Sequence, residues 1–307
     1  MTSGIETEPR PEKTAAAGGA AALDLERLNS LADLTLAEFV RHLTRAGEAG
    51  TVLEEDGLLL FAGAHPQPNP YRNGAIRLDA RLGAADVLAR ATEFFAPRGR
   101  GFALWASEHN DEDIALEARA RGLTALETLP ELVLDGLPED LPLPEGVELR
   151  DAAADEQTRQ DYVQVVAHAW GMAGLPDDLA SRVFFSTASI DAPNVSAFVA
   201  YLDGVPVSGA MTLVTHGVAL GCQAATLRRL PRPPARPQGG VNRRRGLADA
   251  CLCAALERSY AELGAKISLC QTSSLGAPVW RRLGYEPFTS YSRFFAPTLL
   301  ADGNVGR

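Results

Sequence analysis

The residues of this sequence best suited to chemistry lie in Arg243-Arg244-Arg245-Gly246-Leu247-Ala248, where three arginines lead into a glycine and then into a helix-forming stretch over 247–263. The first turn of a helix leaves backbone N–H groups without intrahelical partners, and the dipole adds partial positive charge there. A glycine lets the backbone come close to a ligand, alanine keeps the surface low, and guanidinium groups suit phosphate oxygens. The pattern predicts an anion site, better matched to a diphosphate than to a lone carboxylate. Seven of the 27 arginines fall between Arg228 and Arg245, with no acid among them. A solvated basic turn has the same composition, so R-x-x-G-x-A alone leaves both readings open.

Groups able to move protons are sparse. His168 falls in a predicted helix over 157–169 among apolar neighbours, which suits a packed histidine; His216 falls at a hairpin turn and reads as solvent-facing. His42 lies off the apolar stripe of its helix and reads as a surface residue. Asp177-Asp178 suits a cation but reads more simply as a helix start. No Ser-His-Asp order with a recognisable nucleophile elbow occurs, so no catalytic residue can be named. The four cysteines, Cys222, Cys251, Cys253 and Cys270, make no disulfide framework, which fits a cytoplasmic protein with reduced thiols.

The elements that must position these groups fall into two halves. A chain of 307 residues with 46% hydrophobic and 22% charged residues has room for two domains, each with its own core. No window is apolar enough to span a membrane, and residues 15–23 do not make a secretory signal. Residues 1–146 carry a net charge of −12 and residues 147–307 one of +2, together −10. Residues 1–23 lack periodicity and read as a flexible tail. Leu36, Phe39, Val40 and Leu43 then mark an amphipathic helix behind a Thr35/Glu38 capping box.

Beyond it, strands are predicted at 57–62, 75–78, 102–106 and 132–134, with helices at 84–95 and 113–121. Pro138, Pro142 and Pro144 make 135–146 a linker. The second half reads as strands at 147–150, 196–202, 205–214, 218–226, 266–271 and 290–295, with helices at 157–169, 179–186, 247–263 and 277–283. Gly83 precedes Gly101 by 18 residues and Gly246 precedes Gly264 by 18; Gly101 to Gly122 is 21 and Gly264 to Gly284 is 20. The recurrence points to a duplicated unit. The fold class is thus α/β in two tandem mixed-sheet domains, over 24–134 and 147–297.

From 147 to 297 the sequence resembles the GNAT N-acetyltransferase family, whose (Q/R)-x-x-G-x-(G/A) motif opens a helix and wraps the pyrophosphate of acetyl-CoA. Phe198-Val199-Ala200-Tyr201-Leu202-Asp203-Gly204 resembles the family's hairpin, and Trp280-Arg281-Arg282-Leu283-Gly284-Tyr285 its late helix with a Gly-aromatic ending. The first half resembles the degenerate N-terminal copy of two-module members, without R-x-x-G-x-A before its helix at 84, and is expected to bind no cofactor.

The resemblance implies acetyl transfer from acetyl-CoA to a small-molecule or peptide amine by direct attack, without a metal. It implies pyrophosphate binding by Arg243, Arg244, Arg245, Gly246, Leu247 and Ala248, and backbone pairing with the pantetheine arm at Ala224, Ala225 and Thr226. Gln223, in the same strand, can orient a water but cannot act as a base. Trp280 stands where the family often has a proton-donating tyrosine; indole cannot replace that donor, though it can pack on pantetheine or in the core. Tyr285 and Tyr291 are the neighbouring phenols.

Thr226 to Arg243 spans 17 residues where the family has a short link, so the Arg/Pro segment is either a surface insertion or a local reading-frame slip. A non-catalytic CoA-binding or regulatory protein is the alternative function. Nucleic acid is not expected, because the chain is acidic and the arginine run has no aromatics. No membrane partner is expected, and nothing in the sequence sets an oligomeric state.

Overall fold

The computed structural model describes residues 24–47, 49–63, 65, 69–139, 143–171, 186–227, 246–274 and 276–297. In the first half the elements are α1 (Leu25–Ala46), β1 (Thr51–Glu55), β2 (Leu58–Ala62), β3 (Asn73–Arg77), α2 (Ala84–Phe95), β4 (Phe102–Ser107), α3 (Glu112–Ala120), β5 (Thr124–Ala125) and β6 (Leu129–Leu134). The second half has β7 (Val147–Asp151), α4 (Glu156–Gly171), β8 (Val195–Leu202), β9 (Val205–Thr215), β10 (Val218–Thr226), α5 (Leu247–Ala261), β11 (Ile267–Gln271), α6 (Ala277–Arg282) and β12 (Glu286–Ala296). The expected tail, Asp177-Asp178, the Arg/Pro segment and the helix at 179–186 up to its last residue lie outside the described residues; Ser186 is extended.

Local chemistry explains most of these boundaries, and one expectation fails on it. The helix holding Leu36 and Phe39 starts at Leu25, capped by the Asp24 carboxylate, which accepts the Arg27 N–H at 2.8 Å. Thr35 is therefore no cap: it is buried in mid-helix, donating its hydroxyl to the Leu31 and Ala32 carbonyls. The preceding turn, with Leu28, Leu31 and Ala32 continuing the apolar stripe, favours helix and overrides the capping-box spacing. Asp56-Gly57, Asp203-Gly204 and His216-Gly217 each place two successive residues at positive φ, the type I′ signature that closes β1–β2, β8–β9 and β9–β10. β1 escaped the sequence reading because it is a mostly exposed edge strand without alternation.

The twelve strands of the described residues share one sheet, in the order β1-β2-β3-β4-β12-β6-β11-β10-β9-β8-β7, with β5 paired to β12. Only β3–β4 and β10–β11 are parallel. The units β3-α2-β4-α3-β6 and β10-α5-β11-α6-β12 repeat one connectivity, and each ends on a strand given to the other half. β12 pairs with β4, β6 pairs with β11, and β6 and β12 pair with each other. Gly122 and Gly284 end the matching helices α3 and α6 in the left-handed conformation, at φ 73° and 91°.

Helices cover both faces. α1 and α4 lie on one, over a core in which Val40, Leu59 and Trp105 of the first half join Tyr162, Val166 and Met211 of the second. The opposite face is covered by α2 and α3 around Val87, Leu104 and Ile114, and by α5 and α6 around Leu132, Leu252 and Trp280. A His109 bridge, with Thr289 Oγ1 at 2.9 Å on one ring nitrogen and Asp33 Oδ2 at 3.0 Å on the other, ties β12 to α1. Tyr291 donates to Asp33 Oδ1 at 2.7 Å in the same network.

Candidate functional site

β10 and β11 run together only through Val218↔Ile267, Ala219↔Ser268 and Leu220↔Leu269, then separate. The cause lies in β10. Between Cys222↔Met211 and Ala225↔Gly209 two residues, Gln223 and Ala224, oppose the single Ala210, and Gln223 takes φ 52°. Such a bulge bends and twists its strand, here away from β11 while β9 is kept as partner. Gly221, at the fork, has no side chain because Trp280 lies against it: a Cβ there would stand 2.7 Å from Trp280 Cη2. Gln223 is held by the Tyr162 hydroxyl, which donates to its Oε1 at 3.3 Å.

A cavity of about 370 Å³ opens from this fork, and both halves build it. The second half supplies Gly221 to Ala224, Gln271, Thr272 and Trp280; α1 adds Leu36, Phe39 and Leu43. Tyr71, Arg72 and Glu131 come from the first half, and Arg293 from the exchanged strand β12. Arg72 and Arg293 are tied to main-chain carbonyls, Arg72 to Leu43 and Arg293 to Glu127 at 2.9 and 3.2 Å. Burial lowers the pKa of Arg72 to about 9, and that of Arg293 also falls.

Glu131 is the residue that sequence reading missed. It lies on β6 opposite Gln271 and is 2% exposed, and among the described residues its Oε1 has no hydrogen-bond partner. Burial pushes its pKa up to about 8, a Gln271 hydrogen bond opposes that rise, and the like charge of Asp33 adds to it. Tyr71 donates to the Gln271 Oε1 at 3.2 Å, which fixes that amide. A carboxyl poised near neutrality in a cavity can accept or return a proton near physiological pH. Its signal in the sequence is a lone acid within Leu129-Pro130-Glu131-Leu132-Val133-Leu134, just ahead of the strand predicted at 132–134.

Of the sequence-predicted residues, Ala224 and Trp280 meet at the cavity. Ala225 and Thr226 continue the diverging strand. Leu227 N–H donates to Val207 O, so alternation in the antiparallel ladder turns the Thr226 main chain toward the edge away from β9. Gly246 is the N-cap of α5 at φ 74°; among the described residues no side chain caps this helix and none lies within 4 Å of where a Gly246 Cβ would stand. Leu247 is buried and Ala248 half-buried, so the helix end is anchored yet accessible. Asp249, in the first turn, is turned to Arg282 at 2.7 Å. Arg243, Arg244 and Arg245 lie outside the described residues.

The other candidates separate from the cavity. His168 and His216 are exposed, so His168 is not the packed residue its neighbours suggested: it lies on the outer side of α4. His42 is half-buried rather than superficial, because α1 packs against the 187–189 turn and its Nε2 lies 2.8 Å from Ser189 O. Desolvation lowers its pKa. Tyr285 is buried against Ser268, and Tyr291 joins the Asp33 network.

In the first half the place corresponding to the fork is filled. Arg77, at the end of β3, reaches Asp111, Asp113, Asn110 O and Leu82 O at 2.7–3.0 Å, bridging the loops before α2 and after β4. Among the described residues no group of three or more His, Cys, Asp or Glu could hold a metal ion, and no helix is long and apolar enough to cross a membrane.

No known family matches the sequence, and no curated protein is detectably similar. Solved structures do match. The GCN5-related N-acetyltransferase from Kribbella flavida superimposes with a TM-score of 0.65 at 20% identity, over 89% of this chain and 99% of that one. A tandem GNAT protein from the clavulanic acid biosynthesis pathway gives 0.53 at 14%, over 87% and 96%. The GCN5-related N-acetyltransferase from Sphaerobacter thermophilus gives 0.54 at 15%, over 80% and 75%.

Proposed function

We propose that this chain, which has the fold of the tandem GCN5-related N-acetyltransferases, transfers an acetyl group from acetyl-CoA to an amine. One observation carries the reading: the second half keeps an open fork between two parallel strands, beside a helix N-terminus that no described side chain caps, with a cavity at its mouth. The amides of Gly246, Leu247 and Ala248, with Arg243, Arg244 and Arg245, hold the pyrophosphate. The edge of β10 at Ala224 and Thr226 pairs with the pantetheine arm, while Ala225, the third residue expected there, turns its main chain to β9, and Trp280 packs beside the arm. A thioester is already activated, so holding the amine against it supplies most of the acceleration and no enzyme nucleophile is needed.

The test is calorimetric titration of the wild type and of Arg243→Ala combined with Gly246→Asp. Charge-assisted hydrogen bonds contribute about 1.5–3 kcal/mol each, so the double variant should bind acetyl-CoA at least about tenfold more weakly. Unchanged affinity would overturn the assignment. Trp280 favours a second reading, a CoA-binding protein without turnover, since no phenol stands there to protonate a leaving thiolate. Tight acetyl-CoA binding with no thioester consumption across an amine panel would select it.

A further inference from the structure

We propose that Glu131, carried into the second half's cleft by the first half's last strand, is the base that takes the acceptor's proton, and that the acceptor is a monoamine with a compact apolar body. The inference rests on the acyl-transfer reading and deepens it. Glu131 is the only carboxylate among the described cavity-lining residues apart from Glu127, which is mostly solvated. Its Oε1 is buried without a hydrogen-bond partner among the described residues, in the cavity that the bulged segment of β10 also lines. An unpartnered buried acceptor is costly unless a ligand donor completes it, and an ammonium is such a donor.

The remaining walls define what is attached to that nitrogen. Leu36, Phe39, Leu129 and the Tyr71 ring make an apolar enclosure, and a volume of about 370 Å³ admits an arylalkyl or branched alkyl chain. Arg72 and Arg293 line the same cavity, each held in place on a backbone carbonyl, and repel a second positive charge. Polyamines are therefore excluded and monoamines retained.

The step balances without a further reagent. The ammonium gives one proton to the Glu131 carboxylate, and the freed nitrogen lone pair forms a C–N bond to the acetyl carbonyl carbon. The C–S bond then breaks, its electron pair leaves on the thiolate, and the nitrogen's second proton goes to that sulfur. Glu131 afterwards returns its proton to solvent. Of the groups around Glu131, burial holds Tyr71, Tyr291 and Cys270 above their ordinary values, Asp33 is a carboxylate, and Gln271 is neutral. Arg72 is lowered by burial to about 9, about one pH unit above the bend expected from Glu131; Arg293 is also lowered by burial, and Glu127 is held below its ordinary value by the Ser274 hydrogen bonds.

The experiment measures acetyl-CoA consumption by wild type, Glu131→Gln and Glu131→Asp with phenethylamine, isoamylamine and spermidine between pH 6 and 9.5, alongside acetyl-CoA titration calorimetry. Expected are turnover of the two monoamines in preference to spermidine, and a wild-type kcat/KM that rises with pH to a bend near 8. Glu131→Gln should lower kcat by about 100-fold or more and remove the bend while leaving acetyl-CoA affinity unchanged. Glu131→Asp should recover part of the rate with a displaced bend. A Gln variant that turns over like wild type overturns the role of Glu131, and preference for spermidine overturns the acceptor class. Loss of acetyl-CoA binding by the wild type would instead remove the acyl-transfer reading beneath it. Calorimetry of phenethylamine alone gives a readout independent of turnover: binding should be lost in Glu131→Gln, and retention would count against the proposal.

Discussion

Replacing Glu131 by Gln should alter how stability depends on pH in a way that can be worked out beforehand. The folded state raises this carboxyl from 4.5 to about 8, so below pH 4.5 both states are protonated and its contribution is intact. Between those values the unfolded chain has lost the proton and the folded one still holds it. Stability then falls by about 1.4 kcal/mol for each pH unit, and the loss totals ~5 kcal/mol by the time pH has passed the folded value. Glutamine is nearly the same size and cannot ionise, so its protein escapes that slope. Urea unfolding of both proteins from pH 4.5 to 9 should show the variant gaining on the wild type across this window and then levelling off above about pH 8. Taking the difference between the proteins cancels the titrating groups that are not coupled to Glu131. A difference that stays constant from pH 5 to 9 would refute the reasoning, because it would mean that Glu131 ionises as freely when folded as when unfolded.

Residues 24–134 and 147–297, expressed separately, should each be unfolded and should associate when co-expressed, since each lacks the strand that lies beside its own β4 or β11; protected amides in either half alone would contradict the exchange. Arg77→Leu should cost about 3 kcal/mol in thermal unfolding, because it leaves the buried Asp111 without its cation. Gly221→Ala should cost about 1–3 kcal/mol by overpacking and push Trp280 toward the cavity, seen as a change in tryptophan fluorescence and weaker acetyl-CoA binding.

Much of the second half could be read locally. Asp203-Gly204 announced its hairpin because two left-handed residues in succession favour Asn, Asp and Gly, and Gly246 announced the head of α5. Periodicity placed α2 at Ala84–Phe95 with both ends correct. Thr35 misled because a capping box has the same spacing as an ordinary stretch inside a helix, and only the folded chain shows which turn comes first. β1 offered no alternation because one of its faces has nothing to bury against.

The sequence by itself determined most of the helices and strands, the hairpin at Asp203-Gly204, and that two similar units follow one another, because these depend on side-chain periods and φ preferences within a few residues. The tertiary structure decided that β6 and β12 change places, that α1 walls a cavity belonging to the second half, and that Glu131 is a desolvated acid rather than a surface one. Those outcomes depend on which distant strand supplies the next row of hydrogen bonds. Backbone donors and acceptors are the same in every strand, so no local pattern of residues records the choice.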